Sequence, residues 1–188
     1  LVGFVLHELR TREPMLPPPH LLANRAFAGA QIAAFAISAS LFAVFVYTTI
    51  YLQNVLHLSP IDTGLLYIPA TAAMFVVAGA TAKLDRRVPV FVSLSVSLLL
   101  VAVGLIMMTA VDVDSSRYAI LPGLIVALVG AGVFNPVMSG LVLAESTSDH
   151  SGLAAGGIND AFRQTGIAVG GVAGARHPAA RTVAAARW

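Results

Sequence analysis

The chain of 188 residues is strongly apolar: 57% of its residues are hydrophobic and only 11% are charged, whereas a soluble domain carries about 25% charged residues. The net charge is only +2, and there is no cysteine, which excludes disulfide and thiolate chemistry. Because no aromatic and basic platform for bases accompanies the small positive charge, we expect no nucleic acid among the partners.

Four long stretches contain no Asp, Glu, Lys or Arg at all: residues 26–61, 63–82, 88–111 and 118–144. A helix needs about 20 apolar residues to cross a bilayer core of about 30 Å, so each stretch is long enough. The charges cluster between these stretches instead of lining one face of each helix, as a soluble bundle would require. The alternating segments of a membrane barrel are also missing. The sequence therefore predicts an all-α integral membrane protein, a polytopic helical bundle with the lipid bilayer as its surroundings.

Residues 1–25 are predicted to form the end of a preceding helix and a cytoplasmic connector, in which the prolines at 17–19 exclude a helix. We therefore expect the chain to be part of a longer protein. Ser59 is the predicted N-cap of the second span, with Pro60 in its first turn and Asp62 near the positive end of the helix dipole. The predicted bundle covers residues 26–175, with spans at 26–56, 60–83, 89–110, 118–144 and, less apolar than the others, 153–175.

Basic residues in the connecting segments predict the orientation of the spans, because Lys and Arg concentrate on the cytoplasmic side. Successive segments hold three, none, three and one of them: Arg10, Arg12 and Arg25, then none, then Lys83, Arg86 and Arg87, then Arg117. We therefore expect the connector and the Lys83 segment to face the cytoplasm. The atypical tail at 176–188 is basic and would break this alternation if the fifth segment crossed the membrane. Either that segment does not cross, or the tail is not its natural continuation, since an Arg and Ala bias is typical of a shifted reading frame.

The fifth span contains the polar residues that are the first candidates for function. Asp160 and Arg163 are three residues apart and share a helix face. An Arg at mid-membrane costs about 3 kcal/mol and often marks a cavity, although an Arg neutralised by Asp160 near the membrane surface fits the sequence equally well. Asn159 and Gln164 add hydrogen-bonding groups, and Gln31 and Asn135 are the polar cavity candidates of other spans, with simple bonding to a neighbouring helix as the alternative.

Small residues recur at four-residue spacing in three spans, which allows close approach of helix backbones in lipid. They serve packing alone, or they also let helices slide during a transport cycle. Pro136 removes a backbone hydrogen bond and permits a bend. The three sets are Ala30, Ala34 and Ser38; Gly132, Pro136 and Gly140; and Gly166, Gly170 and Gly174.

Other chemistry finds little support in the sequence. The five histidines, His7, His20, His57, His150 and His177, are isolated from one another along the chain, so we expect no metal site. Ser, His and acidic residues do not cluster as a hydrolase would require, so we expect no enzyme and no catalytic residues. The candidate functions are those of a membrane transporter or of a scaffold without transport activity.

Several local patterns together resemble the C-terminal half of major facilitator superfamily drug:proton antiporters, in particular the fourteen-helix multidrug efflux branch. They are Glu8-Leu-Arg10 with Pro14-Met15-Leu16 and Asn24-Arg25-Ala26-Phe27; Tyr51-Leu52-Gln53 with Ser59-Pro60 and Gly64 to Pro69; and Ser151-Gly152-Leu153-Ala154 with Asn159, Phe162-Arg163-Gln164 and Gly166. The resemblance covers residues 4–175.

The resemblance implies a transporter of the cell membrane, driven by a proton gradient, that exports drugs or other small amphipathic molecules. An uptake permease of the same superfamily is the alternative. It also implies a gating loop formed by Lys83, Asp85, Arg86 and Arg87, although the glycine that usually follows is replaced by Val88 and Pro89. The N-terminal half of the same chain would be the partner that completes the site, and no cofactor is implied.

Overall fold

A computed structural model describes residues 25–84, 88–111, 116–144 and 151–176 of the protein. Within these ranges it contains five α-helices and no strand, so the predicted all-α bundle is confirmed. The connector before Arg25, the gating-loop residues Asp85, Arg86 and Arg87, and the tail after Arg176 lie outside the described residues. The helices are α1 (Arg25–Ile50, continued by a π-helical turn, Tyr51–Val55), α2 (Pro60–Leu84), α3 (Val90–Thr109), α4 (Leu121–Ala144) and α5 (Ser151–Arg176).

Four of the helices are long and apolar enough to cross a membrane: α1 with its π-helical turn, α2, α3 and α4. Helix α5 has a similar length but is not among the four found in the described residues, because Asp160, Arg163 and their polar neighbours lower its hydropathy. The helix bounds lie within three residues of the predicted spans. The largest difference is at α4, which begins at Leu121 because residues 117–120 form a turn.

Helix α3 shows most directly that the bundle is built for lipid. Its buried residues include the small and polar Ser93, Ser97 and Gly104, whereas the large apolar side chains of Phe91 and Ile106 are 63% and 67% exposed. A helix in water would show the opposite arrangement. Small residues against protein and large apolar residues outward are the arrangement expected of a lipid-facing helix.

Helix α4 is the centre of one group of helices, since it packs against both α2 and α3. A Cβ atom added to Gly104 of α3 would lie 2.5 Å from the Ala127 amide nitrogen of α4, and one added to Gly130 would lie 2.7 Å from the Ser97 carbonyl oxygen. On the other side of α4, a Cβ atom on Gly132 would lie 2.6 Å from the Met74 carbonyl oxygen of α2. Glycine therefore sets the spacing on both sides of α4.

Helix α1 packs mainly against α5, and the two run parallel. Their register follows from three contacts that advance together: Phe27 packs with Ile158, the backbone of Phe35 meets Gly166 and that of Ala39 meets Gly170. A Cβ atom on Gly166 would lie 2.5 Å from the Phe35 carbonyl oxygen. The small residues of α5 thus permit direct backbone contact with α1.

The start of α2 confirms the predicted cap. The Asp62 amide donates a hydrogen bond to Ser59 Oγ over 3.1 Å, and this hydroxyl donates to Asp62 Oδ2 over 2.7 Å. Just before the cap, His57 has a φ of 52°, which allows the chain to reverse after the π-helical turn. Lys83, the described member of the predicted gating loop, is exposed in the last turn of α2.

Candidate functional site: a polar cavity at mid-depth of the bundle

A cavity of about 230 Å³ opens between α1, α2, α4 and α5. Helix α3 contributes nothing to it, which agrees with the lipid-facing position of that helix. The lining residues are Ile37, Ser38, Leu41, Phe42, Phe45, Thr71, Met74, Leu128, Ala131, Phe134, Asn135, Arg163 and Ile167.

The polar members of this lining come from four different helices and lie at a similar depth. Ser38, Thr71, Asn135 and Arg163 each occupy a position near the middle of their own helix. Since α1, α2 and α4 are long enough to span a bilayer, we expect the cavity to lie near the bilayer midplane. Sites at the midplane, formed between packed helices, are typical of transport proteins.

The polar groups of the lining differ in the hydrogen bonds that they can still form with a bound molecule. The Thr71 hydroxyl donates to the carbonyl oxygens of Tyr67 and Ile68, each over 3.0 Å, so its oxygen remains able to accept a hydrogen bond. The backbone carbonyl of Asn135 already accepts a hydrogen bond from Ser139 Oγ over 2.9 Å. The side chains of Asn135 and Arg163 bring an amide and a permanent positive charge to the cavity.

Aromatic and flexible apolar side chains form the rest of the wall. Phe42 and Phe45 come from α1, Phe134 from α4 and Met74 from α2. The ring of Phe45 also meets Tyr67 edge-on, with ring centres 5.3 Å apart, and the Tyr67 and Thr49 hydroxyls lie 3.0 Å apart. Aromatic rings with a few convergent polar groups are typical of small-molecule sites.

Of the six polar residues predicted from the sequence, the structure brings Asn135 and Arg163 together in this cavity. Asp160 and Gln164 are exposed on α5 and are not part of the lining. Asp160 and Arg163, which were predicted to share a helix face, form no ion pair in the described part of the chain.

Gln31 and Asn159 are also placed outside the lining. Gln31 is 0% exposed, and neither its Oε1 nor its Nε2 has a hydrogen-bond partner within the described residues. The Oδ1 atom of Asn159 is likewise buried without a partner there. From the register of α1 and α5, Gln31 lies level with Phe162, less than one turn from Asn159.

The sequence interpretation missed Thr71 and the three phenylalanines, and it treated Ser38 only as one of the small residues that allow helices to pack closely or to slide. A signal was available, because Ser38 and Thr71 are polar residues near the centres of charge-free spans. The residues predicted to act in helix packing or bending lie within two helices. Gly132, Pro136 and Gly140 lie in α4, and Gly166, Gly170 and Gly174 lie in α5.

Two larger cavities lie at the opposite end of the bundle from Lys83. One, of about 390 Å³, is lined by residues of α1, α3 and the α4 approach, including Tyr47, Thr48 and Tyr51, and holds no charged residue. The other, of about 350 Å³, contains Asp62 and Arg117 at the start of α2 and before α4. Volume alone favours these two, but the mid-depth cavity is where polar groups from four helices converge.

The family is decided by comparison over most of the chain. The model of the Major Facilitator Superfamily matches residues 5–171. The chain belongs to this superfamily. Major facilitator proteins are membrane transporters and not enzymes, and the four apolar helices agree with a multi-pass membrane protein.

Curated relatives are named for drug resistance and export. The chain is 24% identical to a multidrug transporter protein of Bacillus subtilis over 79% of its own length and 27% of that protein. It is 29% identical to a puromycin resistance protein of Streptomyces alboniger, over 90% of the chain and 34% of that protein. It is 30% identical to a tetracenomycin C resistance and export protein of Streptomyces glaucescens, over 89% of the chain and 31% of that protein. The chain thus spans about a third of the length of these relatives.

Proposed function

We propose that the longer protein containing this chain exports drugs or other small amphipathic molecules across the cell membrane, in exchange for protons. The single observation that carries this proposal is the mid-depth cavity, in which Ser38, Thr71, Asn135 and Arg163 meet three phenylalanines. The names of the relatives, which include multidrug transport, antibiotic resistance and export, support the direction and the substrate class.

The cavity forms one wall of the substrate site in this proposal. The rest of the longer chain supplies the facing wall, and the two halves rock around the bound molecule. A mixed aromatic and polar wall suits substrates of varied structure, because rings and Met74 adapt to different apolar shapes while a few polar groups hold one end.

Proton exchange needs a titratable group in the membrane that changes its proton in step with the cycle. Among the described residues, the acids are Asp62, in the first turn of α2, and Asp160, inside α5. Asp160 lies away from the ends of its helix, and its side chain is exposed. We propose that acids in the rest of the longer chain bind the exchanged proton, and that Asp160 takes part in proton binding from α5.

The test uses the full-length protein in a drug-sensitive bacterial host and measures efflux of a fluorescent drug from preloaded cells. We expect faster efflux than in the empty host, and its loss when a protonophore collapses the proton gradient. Asn135→Ala should slow efflux, whereas the matched control Ser95→Ala, on the exposed face of α3, should not. Accumulation instead of efflux would indicate an uptake permease, and equal behaviour of the cells with and without the protein would contradict transport of these drugs.

A further inference from the structure

The described lining of the mid-depth cavity carries positive charge but no negative charge. Arg163 is the charged residue of its lining, and the other polar members, Ser38, Thr71 and Asn135, are neutral. No acidic side chain belongs to the lining formed by the described helices. A substrate in this cavity therefore meets a positive charge that the wall itself does not balance.

Arg163 forms no ion pair within the described part of the chain. The side chain is exposed and forms no ion pair with Asp160, although the two are three residues apart on the same helix. Asp62 lies at the far end of α2, next to Ser59. A guanidinium at mid-membrane is costly to leave unpaired, so a partner that brings negative charge is favoured there.

The neutral groups around Arg163 fit the same partner. A guanidinium binds a planar carboxylate through two parallel hydrogen bonds, or a phenolate oxygen through a charge-assisted hydrogen bond, and the Asn135 amide adds another donor. Phe42, Phe45 and Phe134 offer faces and edges for an attached ring. An organic cation would instead be repelled by Arg163 in surroundings of low dielectric constant.

We propose that Arg163 selects the substrates of this transporter, and that the favoured class is aromatic molecules bearing a carboxylate, phenolate or similarly acidic group, in preference to organic cations. This inference rests on the proposed export function, which it makes more specific. In this role Arg163 is a binding residue that contacts the acidic group, with Asn135 as its neutral neighbour.

The experiment compares two dyes that share a xanthene ring but differ in charge, the anion fluorescein and the cation rhodamine 123. Full-length wild-type protein in everted membrane vesicles should transport fluorescein in preference to rhodamine 123. Arg163→Gln should lower fluorescein transport about tenfold, the loss expected for one charge-assisted pair, and leave rhodamine 123 transport equal or higher. Arg163→Lys should retain part of the fluorescein transport, because it keeps the charge but not the planar fork.

Val169→Ala, on the exposed side of α5, is the matched control and should change neither dye. Wild-type preference for rhodamine 123, or an equal loss of both dyes in Arg163→Gln at normal membrane levels, would overturn the inference. The dye preference of the wild-type protein tests the proposed substrate class even if a variant fails to insert into the membrane. Transport of other drugs but of neither dye would refute the acidic substrate class alone, whereas absence of transport for a broad panel of drugs would refute the export function itself.

Discussion

The α3–α4 side and the α1–α5 side of the bundle are both held by glycine, yet they treat polar groups differently. Along α3, the buried Ser97 has a partner in its own helix, because its Oγ donates to the Leu94 carbonyl over 2.7 Å. Along α1 and α5, Gln31 and Asn159 have buried atoms without partners, and Arg163 enters a cavity. We propose that the α3–α4 contact anchors the bundle in lipid, whereas the α1–α5 contact, which borders the cavity, takes part in transport.

The largest effect is expected from closing the space between α3 and α4. In Gly104→Val, the new Cβ atom would meet the Ala127 nitrogen and the Gly123 carbonyl oxygen, which are backbone atoms that cannot turn aside. We expect a loss of about 3 kcal/mol in the free energy of unfolding, measured by denaturant titration of the full-length protein in mixed micelles. Gly79→Val, at a position in α2 with open space around it, is the control. Equal stability of the two variants would contradict the close contact.

A smaller effect on stability, but a larger one on transport, is expected between α1 and α5. Gly170→Ala would place a methyl group against the backbone of Ala39, and we expect a cost of about 2 kcal/mol as the helices separate. Because the α1–α5 contact borders the cavity, transport per folded molecule should fall in Gly170→Ala. Variants of the α3–α4 contact that remain folded should keep their transport activity. Gly157→Ala, where no atom lies within 4 Å, should leave both unchanged. Unaltered transport by folded Gly170→Ala protein would remove the distinction between the two sides.

Removal of the buried amide of Gln31 should raise the free energy of unfolding, whereas the two glycine substitutions should lower it. Gln31→Met keeps the length of the side chain but removes two polar atoms that have no partner within the described residues, so we expect a gain of about 1 kcal/mol in the free energy of unfolding. Ser97→Ala on the other side of the bundle removes an atom that is already hydrogen-bonded and should bring no gain. Thermal unfolding in detergent compares the two variants. A loss of stability in Gln31→Met would show that the amide has a partner outside the described residues.

The sequence predicted where residues lie along the membrane-spanning helices better than it predicted which residues they contact. Charge-free stretches long enough for a bilayer located the helices, and Ser59 with Asp62 located the start of α2, because these signals are local. The neighbours of a mid-helix residue depend on how each helix is rotated and which others it meets. Arg163 and Asn135 therefore could not be placed in one cavity with Ser38 and Thr71, and Gly104 was missed because its partner is 19 residues away along the chain, at Gly123.

The smallest effect concerns the contact that holds α1 to α2 beside the cavity. Tyr67→Phe removes the hydroxyl that lies 3.0 Å from Thr49 Oγ1 but keeps the ring against Phe45. We expect a loss of about 1 kcal/mol in the free energy of unfolding, the usual value of one such hydrogen bond. Tyr118→Phe, at a tyrosine that is 56% exposed, should change it by less. Because the ring persists and the hydroxyl lies outside the cavity lining, dye selectivity should not change in Tyr67→Phe. A change in selectivity would mean that the Tyr67–Thr49 contact between α1 and α2 also shapes the cavity that binds the dye.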